Sequence, residues 1–219
     1  MTREEIMAKL KESVVEMDAD LAAEAAHAAL DAEIDPLDAI SEGLSAGMQV
    51  MSDLFDEGEA FVPQLLVSAE AFETAVGILT SDLSDDEKAA SKNGKVLIHT
   101  VQGDVHDIGK NIVKTMFEAN NFQVYDLGRD VAVEEVVEKA KEYDVDIIAG
   151  SALMTTTMPA QRDILNLLNE EGIRDQFIVI FGGAPVFLGW CDEIGADGYA
   201  DTAAGAVDVA KELLAKKAS

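Results

Sequence analysis

The sequence predicts two domains of different class: an all-α four-helix bundle over residues 1–83 and an α/β domain with a parallel sheet over 95–219. Two observations carry this. Apolar residues recur at helical spacing up to about residue 83, and beyond residue 94 short apolar runs alternate with helical stretches. Between them, residues 84–94 have no apolar periodicity and read as an exposed linker.

Each element has its own signal. Ile6, Leu10, Val14 and Met17 form the stripe of a first helix, and Leu37, Ile40, Leu44, Met48, Met51 and Phe55 form that of a later one. Asp35-Pro36 reads as an N-cap followed by a first-turn proline, and Gly58 stands where that helix should stop. Pro63 then opens a fourth helix carrying Leu65, Leu66, Ala69, Phe72, Val76 and Leu79. Short antiparallel helices with such stripes bury them against one another as a bundle. In the second half, Val96 to Ile98, Phe122 to Tyr125, Val145 to Ala149, Phe177 to Phe181 and a weaker run at Gly198-Tyr199 read as strands. The last helix, 202–217, carries Lys216 and Lys217 at its negative end. Strands separated by helices imply a parallel sheet covered on both faces, most economically five strands in flavodoxin-like (Rossmann-like) order.

Composition excludes several classes of function. Hydrophobic residues are 48% of the 219, enough for real cores. Forty-three acids against sixteen bases give a formal charge of −27, which repels a phosphate backbone and an anionic lipid surface, so neither nucleic acid nor membrane is expected as a partner. No apolar run approaches the length of a membrane span. The single cysteine, Cys191, permits no internal disulfide and no multi-cysteine metal site; a cytoplasmic protein is expected.

In the flavodoxin-like order three loops converge at the carboxyl edge of the central strands, where open α/β sheets bind ligands. The first is Gly103-Asp104-Val105-His106-Asp107-Ile108-Gly109, which holds one of three histidines beside an acid that can hold one ring nitrogen and leave the other for a metal. The second runs from Gly150-Ser151 to Thr157, and the third is Gly182-Gly183-Ala184-Pro185. Their small residues let a large ligand lie close to the backbone, and the slot suggests a long, buried ligand group. Singly these signals are weak: Gly182-Gly183 alone is an ordinary turn, and Asp104 alone is as well read as a turn or cap aspartate. Their coincidence carries the weight. A phospho-receiver pocket around Asp104 and Asp107 is disfavoured, because Gly150-Ser151 stands where the phosphoacceptor aspartate would be. His99 reads as a strand or core histidine, His27 as a helix residue among alanines, and Cys191 beside Trp190 as packing behind the third of these loops.

Asp104-x-His106-x-x-Gly109, Ser151-x-Leu153 and Gly182-Gly183 together resemble the three-part signature of cobalamin-binding domains of the methionine synthase type. The helical segment resembles the same family's cap domain at Gly47-Met48, Asp53-Leu54-Phe55-x-x-Gly58 and Phe61-Val62-Pro63-Gln64. The resemblance spans nearly the whole chain. A cap plus cobalamin domain of this size is similar to the small corrinoid proteins of methyl transfer. Ser151-Ala-Leu-Met-Thr-Thr and Phe181-Gly-Gly-Ala-Pro-Val186 look most like the methylamine-specific members, with the monomethylamine type favoured over dimethylamine, trimethylamine and quaternary-amine types.

The resemblance implies a cobalamin-type corrinoid cofactor whose own benzimidazole base leaves the cobalt, with His106 as the lower metal ligand. Gly103, Asp104, Val105, His106, Asp107, Ile108 and Gly109 of the first loop, with Thr155, Gly182 and Gly183 of the others, would line its site. Ser151 and Leu153 would line the tail pocket, and Phe55 and Val62 of the cap would cover the reactive methyl. Phe55 also fits the bundle's own apolar stripe. In the family a relay of aspartate, histidine and serine couples ligation to a proton; here it reads Asp104, His106 and Thr157, the added methyl of Thr157 restricting its rotamer. The implied activity is that of a methyl-carrying subunit and not of a self-sufficient enzyme. A methylamine methyltransferase would deliver the methyl to cobalt, a second methyltransferase would pass it to a thiol such as coenzyme M, and a reductive activase would rescue oxidised cobalt. The alternatives are a carrier for methanol or a quaternary amine, a cobalamin sensor, for whose output module this chain leaves no residues over, and an interaction module with no corrinoid.

Overall fold

The structure, a computed structural model, describes residues 1–81 and 92–217. The chain divides into two compact units, Met1–Asn93 with Glu118–Asn121, and Gly94–Phe117 with Phe122–Ser219. Of the linker expected at 84–94, residues 84–91 lie outside the described residues.

The first unit is helical. α1 (Arg3–Val15) and α2 (Ala19–Asp31) are followed by α3 (Pro36–Asp38), a π-helical segment (Ala39–Leu44), α4 (Ser45–Asp56) and α5 (Val62–Leu79). Side chains satisfy the amides that helix starts leave unpaired. Thr2 Oγ1 accepts from the Glu5 amide at 3.2 Å, and in return the Thr2 amide donates to Glu5 Oε2 at 2.8 Å. Asp35 accepts from the Leu37 and Asp38 amides at 2.8 and 3.2 Å, the cap expected from Asp35-Pro36. Gly58, at φ +76°, follows the end of α4. Ile6, Leu10, Val14, Ile40, Leu44, Met48, Met51, Leu65, Phe72 and Leu79 form the core. The stripe frays at its ends: Leu37 is exposed, Phe55 is half-buried, and Met17 lies past α1 at φ +59°. A 3.6-residue reading also passes over the π segment, whose wider turns keep an apolar stripe intact.

α5 corrects one expectation. With 18 residues and a mean hydropathy of 1.3 it reaches the length and apolarity of a membrane span, the only described helix that does. It carries Glu70 and Glu73, and Leu65, Ala71, Phe72, Ala75 and Leu79 on its inner side are buried within the helical unit.

The second unit is a five-stranded parallel sheet, β1 (Lys95–Thr100), β2 (Gln123–Asp126), β3 (Ile147–Ser151), β4 (Ile178–Gly182) and β5 (Gly198–Tyr199), in the order β2-β1-β3-β4-β5. Its helices are α6 (Ile108–Ala119), α7 (Val133–Glu142), α8 (Pro159–Glu170), α9 (Leu188–Ile194) and α10 (Ala203–Lys217). The flavodoxin-like order expected from the alternation is the order found. Leu97, Ile148 and Val179 are register neighbours and pack with Val136, Val137, Ala140, Ile164, Leu165 and Leu168 of α7 and α8. Ile98, Ala149 and Ile180 alternate to the other face and are buried there too, which is why the strands read as unbroken apolar runs. Phe122, Val145 and Phe177 are buried just before their strands begin, so the apolar runs overrun the ladders by one or two residues.

His99 sits in β1 with no exposed surface, and neither ring nitrogen has a hydrogen-bond partner among the described residues. Its Cε1 lies 3.0 Å from where a side chain on Gly150 would begin, so the missing Cβ of Gly150 makes room for the ring. Burial, and after it the Lys110 ammonium, push the imidazole down to about 3, so the folded protein holds it neutral. In the unfolded chain the ring titrates near 6.5, so its share of stability is complete above that pH and falls as pH drops toward 3. At pH 5 the expected loss is roughly 2 kcal/mol. His99→Leu removes both the acid sensitivity and two orphaned nitrogens, so its urea midpoint should exceed that of the parent by a margin that widens between pH 7.5 and pH 5. A constant margin would mean that His99 accepts its proton without cost.

Candidate functional site

The site is built on the loop between β1 and α6, which is tied down on both sides. Gly103, at φ +84°, turns the chain, and its amide donates to Asp130 Oδ1 at 2.7 Å. The Asp130 amide answers to the Asp104 carbonyl at 2.9 Å. Thr100 Oγ1, at the end of β1, donates to the His106 carbonyl at 3.1 Å.

Asp104 is fully buried and gathers four donors. Oδ1 accepts from the His106 amide at 3.1 Å and faces His106 Nδ1 at 2.7 Å; Oδ2 accepts from the Leu153 amide at 2.7 Å and from Thr157 Oγ1 at 2.8 Å. Burial by itself would raise this carboxyl, but the bonds from Leu153, His106 and Thr157 outweigh it and hold the group well below the usual carboxylate range. It is an anion at any pH near neutrality. A carboxylate can only accept, so Nδ1 carries the hydrogen and the lone pair of the neutral ring lies on Nε2. The ring is 48% exposed beside a carboxylate with no exposure at all, so the free nitrogen belongs to the accessible part of the pair. The turn reading of Asp104 and the relay reading both hold, because the His106 amide bond is an Asx turn and the Nδ1 bond uses the same oxygen.

β1 and β3 flank the reversal of strand order, the crevice expected to bind ligands. Asp104 spans it, since Leu153 and Thr157 come from the loop after β3. Thr157 Oγ1 also stands 2.9 Å from the Met154 carbonyl, and with one hydroxyl hydrogen it serves one of these two acceptors at a time. The loop after β4 is fixed to the loop after β3: the Ala152 amide donates to the Gly182 carbonyl at 3.0 Å, and Gly183, at φ +123°, lies so close that a Cβ there would stand 1.8 Å from the Ala152 carbonyl oxygen. The tightness of Gly183 is thus between the two loops. Gly109 and Gly182 differ, because a Cβ on either meets no atom within 4 Å.

Around this edge stand exposed apolar side chains: Val105 from the first loop and Ile108 at the start of α6, Leu153 from the second loop, and Phe187 and Leu188 at the start of α9. Surface apolar groups gathered at a functional edge point to a ligand with a large apolar face. Of the other expected site residues, Ser151 is half-buried, Thr155 is exposed, and Asp107 starts α6 by accepting from the Asn111 amide at 2.8 Å and takes no part in the Asp104 network. Phe55 and Val62 lie in the helical unit, both half-buried. Thr100, Asp130, Met154 and Phe187 were not expected. Only Asp130 acts between separate loops, on Gly103; Thr100 and Met154 act locally, through contacts with backbone carbonyls that spacing does not mark, and Phe187 adds exposed apolar surface.

Among the described residues no group of three or more His, Cys, Asp or Glu is placed to hold a metal ion. A metal at His106 must therefore bring its other ligands with it, as cobalt in a corrin does. The single oriented imidazole, the apolar rim and the open space over Gly109 and Gly182 fit such a group. His99 is buried and neutral, His27 is exposed on α2, and Cys191 is buried with its thiol pushed up to about 11 by burial, so none of the three competes for this role.

Sequence profiles of B12 binding domains match residues 94–208 and, separately, residues 6–80. Dimethylamine corrinoid protein 1 of Methanosarcina acetivorans is 46% identical, the alignment covering 98% of this chain and 100% of that protein. Trimethylamine corrinoid protein 2 of the same organism is 46% identical, covering 97% and 98%. The solved methanol:cobalamin methyltransferase complex of Methanosarcina barkeri superposes with a TM-score of 0.76 at 34% identity, covering 100% of this chain and 81% of that one. The monomethylamine corrinoid protein of Methanosarcina barkeri superposes with a TM-score of 0.54 at 42% identity, covering 97% and 100%. Identity is thus spread over relatives of all three amine types. With both units matched and relatives aligned end to end, the chain belongs to the family of B12-binding corrinoid proteins.

Proposed function

We propose that this chain is the methyl-carrying corrinoid subunit of a methylamine methyltransferase system. The observation that carries the reading is the buried Asp104 carboxylate, which fixes His106 with Nδ1 protonated and Nε2 available at a rim of apolar side chains. The end-to-end relatedness to corrinoid proteins of methylamine systems supports it. When bound, the corrinoid supplies a cobalt centre that takes up a methyl group from one partner and yields it to another.

His106 would hold the corrinoid's metal through Nε2, the ring nitrogen that Asp104 leaves free. Asp104 keeps the hydrogen on Nδ1 and so would hold the ring in the tautomer and orientation that a metal at Nε2 needs. Thr157 holds Asp104 from the far side, with the Met154 carbonyl as the alternative partner for its hydroxyl. Ser151 and Leu153 line the slot for the nucleotide tail, with Thr155 at its edge. Gly103, Val105, Asp107, Ile108, Gly109, Gly182 and Gly183 make up the rest of the seat, and the resemblance assigns Phe55 and Val62 the cap's part. The partners are a methylamine methyltransferase, a second methyltransferase that delivers to a thiol such as coenzyme M, and a reductive activase. The single cysteine agrees with a cytoplasmic location.

Protein reconstituted with hydroxocobalamin should stay red after desalting. Once reduced and methylated, it should be demethylated rapidly by a thiol methyltransferase. A colourless product overturns corrinoid binding. A stable adenosyl form that no methyltransferase turns over would instead mark a sensor.

A further inference from the structure

Gln161, on α8, has no exposed surface, yet its side chain is a primary amide with four hydrogen-bonding sites. Its Nε2 donates to the Gly182 carbonyl at 3.2 Å and, more weakly, to the Gly150 carbonyl at 3.4 Å; its Oε1 accepts from Trp190 Nε1 at 2.9 Å. Acceptors on one side and a donor on the other fix the orientation of the amide. The next residue, Arg162, lies over the Trp190 ring at 4.6 Å and pairs with Glu193 at 2.5 Å. Two consecutive residues of α8 thus hold α9, the helix that begins beside Phe187 and Leu188 on the apolar rim.

These contacts meet at the carboxyl ends of β3 and β4. Gly150 is the next-to-last residue of β3 and Gly182 the last of β4, just before the loops that run to Thr157 and Pro185, and the Gly182 carbonyl also receives the Ala152 amide. We propose that Gln161 is a positioning residue for the corrinoid: with Trp190 it sets the separation of the β3 and β4 loops and the placement of α9, so that the slot between the loops keeps its width. The proposal rests on the corrinoid reading above. Of the expected cofactor residues Gln161 hydrogen-bonds only to Gly182, and there to its backbone carbonyl, so its effect passes through the loops.

The test uses the full chain, uniformly labelled with nitrogen-15 and reconstituted with hydroxocobalamin, as parent, Gln161→Leu and Trp190→Phe. A protein nitrogen on Co(II) then splits the electron-spin lines into doublets, whereas the cofactor's own base splits them into triplets. Losing a buried hydrogen bond costs on the order of a factor of ten in an equilibrium. Gln161→Leu should therefore release corrinoid on dialysis about tenfold faster, and its signal should gain a triplet share as the tail leaves the slot. Trp190→Phe keeps the ring under Arg162 and loses only one bond, so it should stay folded and show a smaller change in the same direction. Unchanged release and an unchanged doublet in Gln161→Leu, even with a lowered melting temperature, overturn the proposal and leave Gln161 a packing residue. Should Gln161→Leu fail to fold, Trp190→Phe decides, and release at the parental rate overturns it. Parent protein that never holds corrinoid overturns the carrier reading, and this proposal with it.

Discussion

His106→Ala should fold nearly as well as the parent and yet lose every doublet from its nitrogen-15 electron-spin signal. The two halves of that expectation have separate causes. The imidazole is half-exposed, so its removal opens no cavity, and Asp104 keeps three donors: the residue-106 amide, the Leu153 amide and Thr157 Oγ1. A buried carboxylate with three bonds remains satisfied, so the stability change should stay within about 1 kcal/mol. On the proposed assignment, the metal by contrast loses the protein ligand that His106 supplies. Whatever nitrogen then splits the Co(II) lines must be the cofactor's own, a triplet, or none. Methyl transfer should fall by at least about a hundredfold, because outer-shell changes alone reach that size. A doublet that survives in His106→Ala would show that another histidine reaches the cobalt. His99 cannot do so without breaking into β1, and His27 lies on α2, so such a result would remove the assignment altogether.

The parts that were legible in the sequence share a local cause. Asp35-Pro36, the stop at Gly58 and the strand runs each express themselves within a few residues, and a parallel sheet buried on both faces writes its strands as continuous apolar runs. The Asp104 and His106 pair was legible for the same reason, since the two residues are two apart and share one turn. What escaped was contact made across the sheet edge. Nothing in the spacing sets Asp130 against Gly103, 27 residues apart, or Gln161 against Trp190, 29 apart. Gln161 on an amphipathic helix reads as one more solvated amide, and only the assembled fold shows it without exposed surface between two strand ends. Leu153 was half legible. Its place in Ser151-x-Leu153 suggested a side chain facing the ligand, but its amide on Asp104 ties the slot to the partner of His106, and a backbone donor leaves no trace in residue type.

The glycines of the third loop divide into two kinds, and the division yields the second large effect. Gly183→Ala must place a methyl where the Ala152 carbonyl oxygen already stands, at a backbone angle of φ +123° that side chains avoid. Backbone meets backbone there, so no rotamer can relieve the overlap and one of the two loops must move. Strain of this kind costs on the order of 3–5 kcal/mol, and at the usual conversion the α/β unit should melt roughly 10 °C lower. Gly182→Ala and Gly109→Ala set their methyls in space where, apart from the adjoining stretch of chain, no described atom lies within 4 Å. Without corrinoid, Gly182→Ala should therefore melt with the parent, and Gly109→Ala, on the helix α6, should gain about 0.5–1 kcal/mol from reduced backbone freedom. With corrinoid the order changes. If the cofactor occupies that space, both variants should release it much faster than the parent despite intact folds, a separation of binding from stability that a packing defect cannot produce. Variants that hold hydroxocobalamin through desalting as firmly as the parent would show that the ring and its tail lie elsewhere, and the open space over these two glycines would lose its meaning as a seat.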